Sequence, residues 1–546
     1  MTSKPPKNSN IKADAIIKRT TFLGHLGIIV GLFRELEVDK LIDEKFPKSR
    51  DHKVSHANCI LAMVLNGLGF VGQPLYLCPE YFKNVSVGRL FGNGIQKEDL
   101  NQYVIGDTLD KIAEYGPTEL FTEIVLHILK RLPIPILCCH ADTTTISFHG
   151  NHDGDEDEDS KLITFGRPKN GRWDLKQLVL NMIVNQHGIP LFMSTHAGNA
   201  SDKKIIVEAI ESLKSSLTPE KKVYYIADSA FYSDDNIKKM DKSYWISRVP
   251  NTLNEVKELT ASNRDMKPLK EDERYSFSQT FVEYAGIMQN WVLLLSHNLK
   301  GKKEVTLSKS FDKKVKEAEK DLNKLKSKHF FCEADALEGA KNWIKDFPFL
   351  KFEKLDLKTI KKRESGKRGR PAKDEKLLTY YSVDAEIKLN EAHIDQKMEK
   401  AGLFVLGSND LSLLPQEMLA KYKEQDRVEK GFRFLKSDTF SVSKVYLKNK
   451  GRIQALMMVM VLCLMIYSIA EWKLREQIKE DNESVSDQKG KPTKRPTMRW
   501  IFFKFQGITE LFTQEEGEIV AEVLNMEEFH WKVLGLLGEE YENIYL

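Results

Sequence analysis

Three acidic residues of this 546-residue chain stand in settings that suit metal chemistry. Asp142 lies in ILCCHADTTTISFHG, Asp228 in VYYIADSAFYSDDNI and Glu429 in KYKEQDRVEKGFRFLKSD. Carboxylate oxygens are hard ligands, and carboxylates from several elements can hold two divalent cations about 3.5 to 4 Å apart. Such ions stabilise the attacking and leaving oxygens of a phosphodiester. The residue types therefore predict metal-dependent phosphoryl transfer, with Asp142, Asp228 and Glu429 as catalytic and metal-binding residues.

Local patterns predict the elements that position these acids. Apolar residues 134–139 precede Asp142 and residues 223–227 precede Asp228, so each aspartate is expected at the end of a buried strand. The third acid lies in a helical pattern, because one stripe of a helix holds Tyr422, Gln425, Glu429, Phe432, Arg433 and Lys436. A helix packed beside the strands can therefore bring its glutamate to the two aspartates.

The spacing around Glu429 distinguishes this pattern from a chance arrangement. The chain has 79 acidic residues, so a single aspartate is more often an ordinary surface residue. Tyr422, Glu429 and Lys436, however, follow one another at intervals of seven residues. This spacing reproduces most of the tyrosine, arginine, glutamate, lysine signature of one superfamily of bacterial insertion-sequence DDE transposases, which the chain resembles.

The resemblance covers most of the chain in the expected order. It extends through GRWDLKQLVLNMIVNQHGIPLFMSTHAGNASD (171–202), ADSAFYS (227–233), YKEQDRVEKGFRFLK (422–436) and PTMRWIFFKFQGI (496–508). One position departs from the signature, because its arginine falls on Gln425. A neutral amide can hydrogen-bond a phosphate but cannot pair with its charge. Arg433, one turn beyond Glu429 on the same face, is the candidate substitute, whereas Arg427 projects elsewhere.

The resemblance implies a fold and a reaction. The implied fold is α/β, with a ribonuclease-H-like catalytic core in which helices flank a mixed sheet. The three acids are expected to bind two Mg²⁺ ions, for which Mn²⁺ can substitute. The implied reaction is cut-and-paste transposition, with strand cleavage at the transposon end, a hairpin intermediate and strand transfer into target DNA. Tyr422 and Lys436 are expected to contact the DNA near the cleaved end, the tyrosine by a phosphate hydrogen bond or stacking and the lysine as a counter-charge.

The same resemblance implies partners and a location. Transposon-end DNA and target DNA are the expected partners, a homodimer is expected in the DNA complex, and no membrane partner is expected. The expected location is the bacterial cytoplasm, at the nucleoid. The polar start MTSKPPKNSNIK lacks the apolar core of a signal peptide. The apolar run 455–470 is shorter than the roughly 20 residues of a spanning helix, which favours a core helix over 452–475.

Composition limits the other function classes. The net charge is only +4, from 83 basic and 79 acidic residues, so a nucleic-acid surface must come from local clustering. The six cysteines show no CxxC or Cys/His spacing typical of zinc, and reduced thiols are expected. A serine or cysteine hydrolase is disfavoured, because the chain has no Gly-x-Ser-x-Gly motif and Cys138 and Cys139 are predicted to lie within a strand.

Shifts in the pattern predict five segments. Residues 1–132 are expected to form an all-helical region, and the resemblance implies that this region acts in DNA-end binding and assembly. Residues 133–255 and 401–476 form the two parts of the catalytic domain, and residues 256–400 form an inserted domain that includes a strand at 291–296 and a lysine-rich helix at 311–328. Residues 477–546 form a C-terminal region, in which 479–496 is a linker. The aromatic and basic MRWIFFKFQGI suits packing on the catalytic domain, which is the preferred interpretation, or stacking against DNA.

Two charged segments have weaker signals. RGRP contains Arg368 and Arg370 and is similar to the core of an AT-hook, in which two arginines enter an A·T-rich minor groove, although an exposed linker explains it equally well. The acidic run DGDEDED (153–159) lacks the ligand spacing of an EF-hand loop and is predicted to be a solvated hairpin tip.

Two alternatives to transposition stay open. A DDE-type nuclease without transposition could use the same three acids. A catalytically inactive, transposase-derived DNA-binding protein would keep the basic surfaces and lose metal ligands, and the presence of all three acids argues against it.

Overall fold

The computed structural model describes most of the chain. The described ranges are 16–48, 53–70, 78–150, 162–169, 171–217, 222–261, 265–363, 377–437, 449–515 and 518–546. Three predicted features fall outside them: the acidic run 153–159 and the two arginines Arg368 and Arg370.

The N-terminal region begins with a strand and continues as helices. Strand β1 is Ile16–Phe22. The helices are α1 (Leu26–Glu35), α2 (Val38–Lys45), α3 (His56–Leu68), α4 (Cys78–Tyr81), α5 (Val87–Phe91), α6 (Gln102–Tyr115) and α7 (Pro117–Arg131). Capping residues define several starts, because Ser55 accepts a hydrogen bond from the backbone of Asn58 and Asn101 accepts two from the first turn of α6. The prediction of an all-helical region is therefore wrong at its start, where β1 pairs with a strand near the C-terminus.

A mixed sheet of nine strands, counted among the described residues, forms the centre of the molecule. The strands are β2 (Cys138–Phe148), β3 (Lys176–Asn185), β4 (Pro190–Ala197), β5 (Tyr224–Ala227), β6 (Tyr244–Val249), β7 (Lys267–Pro268), β8 (Tyr275–Tyr284), β9 (Ile287–Ser296) and β12 (Leu403–Ser408), in the order β4-β3-β2-β5-β6-β12-β9-β8-β7. Strands β2, β3 and β4 are antiparallel, whereas β5 is parallel to β2 and β6 is parallel to β5. Strand β12 pairs antiparallel with β6 and β9.

Helices cover both faces of this sheet. Helices α8 (Asp202–Ser216), α9 (Asp234–Lys239) and α10 (Asn254–Ala261) follow strands β4, β5 and β6 along the chain. The Thr143 hydroxyl donates to Asp202 at the start of α8, whereas the neighbouring Thr144 accepts from Lys436 at the end of α15 (Asp426–Leu435). Alternate residues of a strand point to opposite faces, so α8 and α15 lie on opposite sides of β2.

The four strands predicted at 135–148, 175–184, 190–195 and 223–227 are confirmed as β2 to β5 within a few residues. One detail was wrong, because Asp142 lies in the middle of β2 rather than at its end. Strand β2 continues past Asp142 because its antiparallel pairing with β3 extends to Phe148. Asp228 directly follows β5, as predicted.

Between β9 and β12 the chain forms a group with its own apolar cluster. It contains α11 (His297–Ser327), α12 (Glu333–Asp346), β10 (Leu350–Arg363), β11 (Leu377–Leu389) and α13 (Glu391–Glu399). Trp343, Phe349 and Val383 are among its buried residues. The predicted lysine-rich helix lies within α11. The predicted strand at 291–296 lies in β9 and belongs to the central sheet, so its assignment to an inserted domain was wrong, since pairing with β8 and β12 joins distant segments.

Three helices follow β12. They are α14 (Pro415–Lys423), α15 and α16 (Lys450–Glu480). The prediction of a core helix at 452–475 is confirmed, because the apolar residues of α16 are buried and the helix packs on α3, α6 and β4. In the part of the chain that the structure describes, α16 is the one helix long and apolar enough to cross a membrane, and most of that apolar stretch is buried inside the protein.

The C-terminal region packs against both the core and the N-terminus. Its elements are β13 (Val485–Ser486), β14 (Pro492–Thr493), α17 (Met498–Phe505), β15 (Thr509–Glu515), β16 (Glu518–Leu524), α18 (Glu528–Leu537) and α19 (Glu539–Tyr545). The expected linker at 479–496 is instead the end of α16 and a short hairpin of β13 and β14. Packing of MRWIFFKFQGI is confirmed, because Met498, Ile501, Phe502 and Phe505 are buried.

Candidate active site

The three predicted acids line one cavity. Asp142 from β2, Asp228 from the end of β5 and Glu429 from the first turn of α15 face a space of about 440 Å³. Tyr422 and Gln425 line the same cavity. Elements that are almost 300 residues apart in the chain thus present three carboxylates and two further predicted residues to one space.

The pairing of β2 with β5 brings the aspartates together. Their parallel ladder runs from Cys138 opposite Tyr224 to His140 opposite Ile226. Asp142 and Asp228 each follow the last pair by two residues, so they lie level with each other where the two strands separate. The Asp228 carboxylate accepts a hydrogen bond of 2.9 Å from the backbone of Ala230. This short turn fixes the aspartate at the open end of β5.

Close packing of α15 places the glutamate. Val428, Phe432 and Leu435 are buried, whereas Glu429 lies on the exposed side of the helix. At Gly431 an added Cβ would lie 3.0 Å from a methyl of Leu464 on α16 and 3.0 Å from the terminal methyl of Met182 on β3. The glycine therefore allows α15 to lie close to both elements, and the opposite side of the helix carries Glu429 to the cavity.

Crowded negative charge characterises the site. Burial and the nearby Asp228 and Glu429 carboxylates together raise the pKa of Asp142 to about 6, although Lys169 opposes the shift. The Lys169 ammonium lies 3.6 Å from Asp142 and 3.9 Å from Asp202. Lys169 pairs with only one of the three acids, so part of their negative charge stays uncompensated at contact distance among the described residues. Oxygen donors with excess negative charge match the ligand preference of hard divalent cations.

The two residues at the start of the predicted signature lie inside the cavity. Burial raises the pKa of Tyr422, the three carboxylates add to this rise, and Arg248 opposes it. Gln425 is buried, and its side-chain oxygen has no hydrogen-bond partner among the described residues. An unpaired buried amide is unfavourable, so this group is available to a ligand that enters the cavity.

Lys436 lies beside the cavity, on the β2 side. Its ammonium donates a hydrogen bond of 2.5 Å to the Thr144 hydroxyl, two residues after Asp142. Burial of the ammonium lowers the pKa of Lys436 to about 8, and the positive charge of Lys169 adds to this effect, although part of the residue stays exposed to solvent. The two lysines thus form a small basic group next to Asp142.

Arg433 is not brought to the cavity. Its side chain is 68% exposed and does not line the cavity, although its guanidinium lies 3.2 Å from Asp426, which does. Helical spacing predicts which residues share one side of a helix, but it does not show how far along that side the cavity extends. A DNA contact by Arg433 stays a prediction, as do those of Arg368 and Arg370.

Sequence reasoning missed the basic residues that other elements contribute. Arg248 from β6, Lys303 from α11 and Lys423 from α14 line the same cavity. The Arg248 guanidinium lies 5.7 Å from the centre of the Phe404 ring. Arg248 lies in an ordinary strand pattern, and nothing in its local sequence indicates that β6 ends beside the carboxylates.

Two family descriptions match the chain. A domain of unknown function (DUF4277) matches residues 18–126, which include most of the N-terminal helices. The family described as "Transposase DDE domain" matches residues 138–466, from the first residue of β2 into α16, and this segment contains all three acids. A search of curated proteins gave no match. Because the second match covers more than half of the 546 residues, the chain belongs to the transposase DDE domain family.

Proposed function

We propose that the protein is a DNA transposase that cleaves transposon ends and joins them to target DNA. Membership in the family supports a transposase-type nuclease activity on DNA. The observation that carries the finer proposal is the single cavity lined by Asp142, Asp228 and Glu429. These residues would act directly at the scissile phosphodiester, without a covalent protein intermediate.

The proposed catalytic core is ribonuclease-H-like. Three antiparallel strands, β2 to β4, are followed by two strands, β5 and β6, that add in parallel to β2. Helix α8 connects the two sets. The group from α11 to α13 is the proposed insertion, since the chain leaves the sheet after β9 and returns to it at β12. The N-terminal helices are proposed to act in end binding and assembly.

The donor set of the cavity fits hard divalent cations. Asp142, Asp228 and Glu429 would hold two Mg²⁺ ions, with Mn²⁺ as a substitute, because oxygen is the only donor type that they offer. When bound, such ions activate the attacking hydroxyl and stabilise the leaving oxygen of an in-line displacement. The protein contributes the rigid placement of the carboxylates by the β2–β5 ladder and the close packing of α15.

Basic and aromatic side chains around the carboxylates would hold the DNA. Tyr422 can hydrogen-bond a phosphate or stack on a base, and Lys436 supplies a positive charge on the β2 side. Gln425 offers only a neutral amide where the resembled superfamily has arginine. Arg248 lines the cavity and supplies a guanidinium that can form bidentate phosphate contacts. We therefore infer that Arg248 supplies part of the positive charge that an arginine at position 425 would provide.

The proposed reaction follows the resembled superfamily. The released 3′-hydroxyl attacks the opposite strand to give a hairpin end, which is reopened before strand transfer. A homodimer would hold two transposon ends, and the reaction would take place in the bacterial cytoplasm, at the nucleoid.

A strand-transfer assay tests this proposal against a nuclease without transposition. The substrates are the DNA ends that flank the coding region, supplied uncut or pre-cut, together with a supercoiled target plasmid and Mg²⁺. A transposase gives hairpin ends from the uncut DNA and joined products from the pre-cut DNA. Cleavage with no joining of pre-cut ends would establish the nuclease instead.

A further inference from the structure

A second group of potential ligands lies beside the carboxylate cavity. Cys138 and His140 lie on β2, and Glu424 lies between α14 and α15. One ligand atom from each residue lies within 4.8 Å of the others. Cys138, His140 and Asp142 share one face of β2, because alternate residues of a strand point to the same side. The group therefore lies beside the catalytic carboxylates but uses none of them.

The His140 side chain is buried without a partner. Its exposed fraction is 0%, and neither ring nitrogen has a hydrogen-bond partner among the described residues. Nε2 lies 3.9 Å from Oε2 of Glu424, which is too far for a hydrogen bond. A buried imidazole without partners is unfavourable, and most buried polar groups have partners. An additional atom between the imidazole and the carboxylate would satisfy both groups.

The donor types in this group differ from those of the catalytic site. A thiol, an imidazole and a carboxylate together are typical ligands of Zn²⁺, whereas Mg²⁺ prefers oxygen alone. Tetrahedral zinc with protein bonds of about 2.0 to 2.3 Å places its ligand atoms about 3.3 to 3.6 Å apart. Shifts of about an ångström or less in the side chains would bring this group, now within 4.8 Å, to that spacing.

Neighbouring charges are compatible with a cation at this position. Burial raises the pKa of the Cys138 thiol to about 11, and the Lys421 ammonium, 3.9 Å from the sulfur, partly opposes this rise. A bound metal would displace the thiol proton. Arg427 lies 3.7 Å from Oε1 of Glu424, so the other oxygen, Oε2, is the one that faces His140. Arg427 thus contacts the oxygen of Glu424 that faces away from His140, whereas Lys421 contacts the Cys138 sulfur itself.

We propose that Cys138, His140 and Glu424 bind a transition-metal ion, with Zn²⁺ as the expected ion and an open fourth position for water. The site would connect β2 to the junction of α14 and α15. His140 precedes Asp142 by two residues and Glu424 precedes Glu429 by five, so the ion would restrain two catalytic carboxylates relative to each other. Its role is structural and does not depend on the proposed transposition.

Metal analysis of the full-length protein tests the site. The protein is purified without chelators and without a polyhistidine tag, and its zinc content is measured by mass spectrometry. We expect stoichiometric zinc in the wild type. Replacement of the zinc by Co²⁺ should give a thiolate-to-cobalt charge-transfer band in the near ultraviolet, because a cysteine sulfur is one of the ligands.

Matched variants identify the ligands. Cys138→Ser should abolish the cobalt band and lower the zinc content, and Glu424→Gln, at a partly exposed position that tolerates substitution, should weaken zinc retention during dialysis. Cys139→Ser is the control, because Cys139 is equally buried but points to the opposite face of β2. Asp228→Asn should keep its zinc, which separates this site from the catalytic one.

Two outcomes would overturn the proposal. One is a folded wild-type protein that neither contains zinc nor gives a cobalt band after incubation with Co²⁺. The other is a Cys138→Ser variant that keeps both zinc and band. Circular dichroism shows whether each variant is folded. If Cys138→Ser does not fold, the zinc retention of Glu424→Gln tests the proposed site instead, and unchanged retention overturns it.

Discussion

Asp142 is the residue at which burial and function conflict. Its carboxyl is only 19% exposed and lies near two other carboxylates, which together with burial raise its pKa to about 6. A folded-state pKa above the ordinary value contributes stability at low pH, and this contribution is lost as the pH rises through 6. Above that pH the ionised carboxylate destabilises the metal-free protein, so a function that needs the charge reduces stability.

This conflict predicts the effect of Asp142→Asn on the metal-free protein. Asparagine keeps an oxygen that can accept from the backbone of Thr143, a hydrogen bond of 2.7 Å in the native protein. It removes the buried charge, so the variant should unfold at a higher temperature than the wild type at pH 8, and the difference should shrink toward pH 4. Thermal unfolding in chelator-treated buffer across this range provides the measurement. An asparagine variant that is less stable at pH 8 would contradict the assigned electrostatics.

Two arginines show whether position in the folded structure or spacing in the sequence better predicts a DNA contact. Arg248 lines the cavity, whereas Arg433 is exposed and pairs with Asp426. Arg248→Gln should remove a charge-assisted phosphate contact worth about 1.5 to 3 kcal/mol, which corresponds to a rate loss of roughly ten- to hundredfold. Arg433→Gln should change the cleavage rate by much less. Rates measured on the same uncut end DNA give the comparison, and the reverse order would restore the substitute role predicted from the helical stripe.

At the scale of elements, the position of α15 depends on Gly431, which has no side chain. Gly431→Leu should push α15 away from Met182 and Leu464 and displace Glu429 from the aspartates, because the added atoms have no free volume there. Gly301→Leu, in α11, is the matched control, since a Cβ at that position meets no atom within 4 Å. We expect a lower unfolding temperature and little cleavage for Gly431→Leu alone. Equal behaviour of the two variants would refute close packing as the reason for the placement of Glu429.

Elements that depend on local pattern were predictable, and those that depend on distant pairing were not. The apolar runs before Asp142 and Asp228 and the helical stripe around Glu429 predicted β2, β5 and α15, the elements that carry the three acids. No local signal shows that β1 pairs with β15, that β9 joins the central sheet, or that Arg248 reaches the cavity. The Cys138 and His140 pair was also missed, because its third neighbour, Glu424, lies almost 300 residues away in the chain.

On the scale of the whole molecule, the C-terminal region packs against the N-terminal region and forms part of the same sheet and core. Strand β15 pairs with β1, the Tyr545 hydroxyl donates to the backbone of Gly24, and Arg89 forms an ion pair of 2.7 Å with the buried Glu510. The C-terminal residues are therefore part of the N-terminal fold rather than an appendage to the catalytic domain. Their removal should expose the apolar faces of α1 and α16 that α19 and α18 cover.

Glu510→Ala tests this mutual dependence. The substitution leaves Arg89 without its buried partner, which typically lowers stability by about 3 to 5 kcal/mol. Glu518→Ala, at an exposed position of β16, should have little effect. Thermal unfolding compares the two variants, and hydrogen exchange should show faster exchange in both β1 and β15 for Glu510→Ala. Faster exchange confined to the C-terminal strands would show that the two regions fold separately.

The central claim is that Asp142, Asp228 and Glu429 carry out catalysis rather than DNA binding. The most direct measurement is Mg²⁺-dependent cleavage of transposon-end DNA by Asp142→Ala, Asp228→Ala and Glu429→Ala, with a gel-shift assay on the same preparations. Glu480→Gln, at the exposed end of α16, is the control. The three alanine variants should bind the end DNA at least as tightly as the wild type, because a negative charge near phosphate is removed, and should not cleave it. Cleavage at the wild-type rate by any of the three would contradict the assignment.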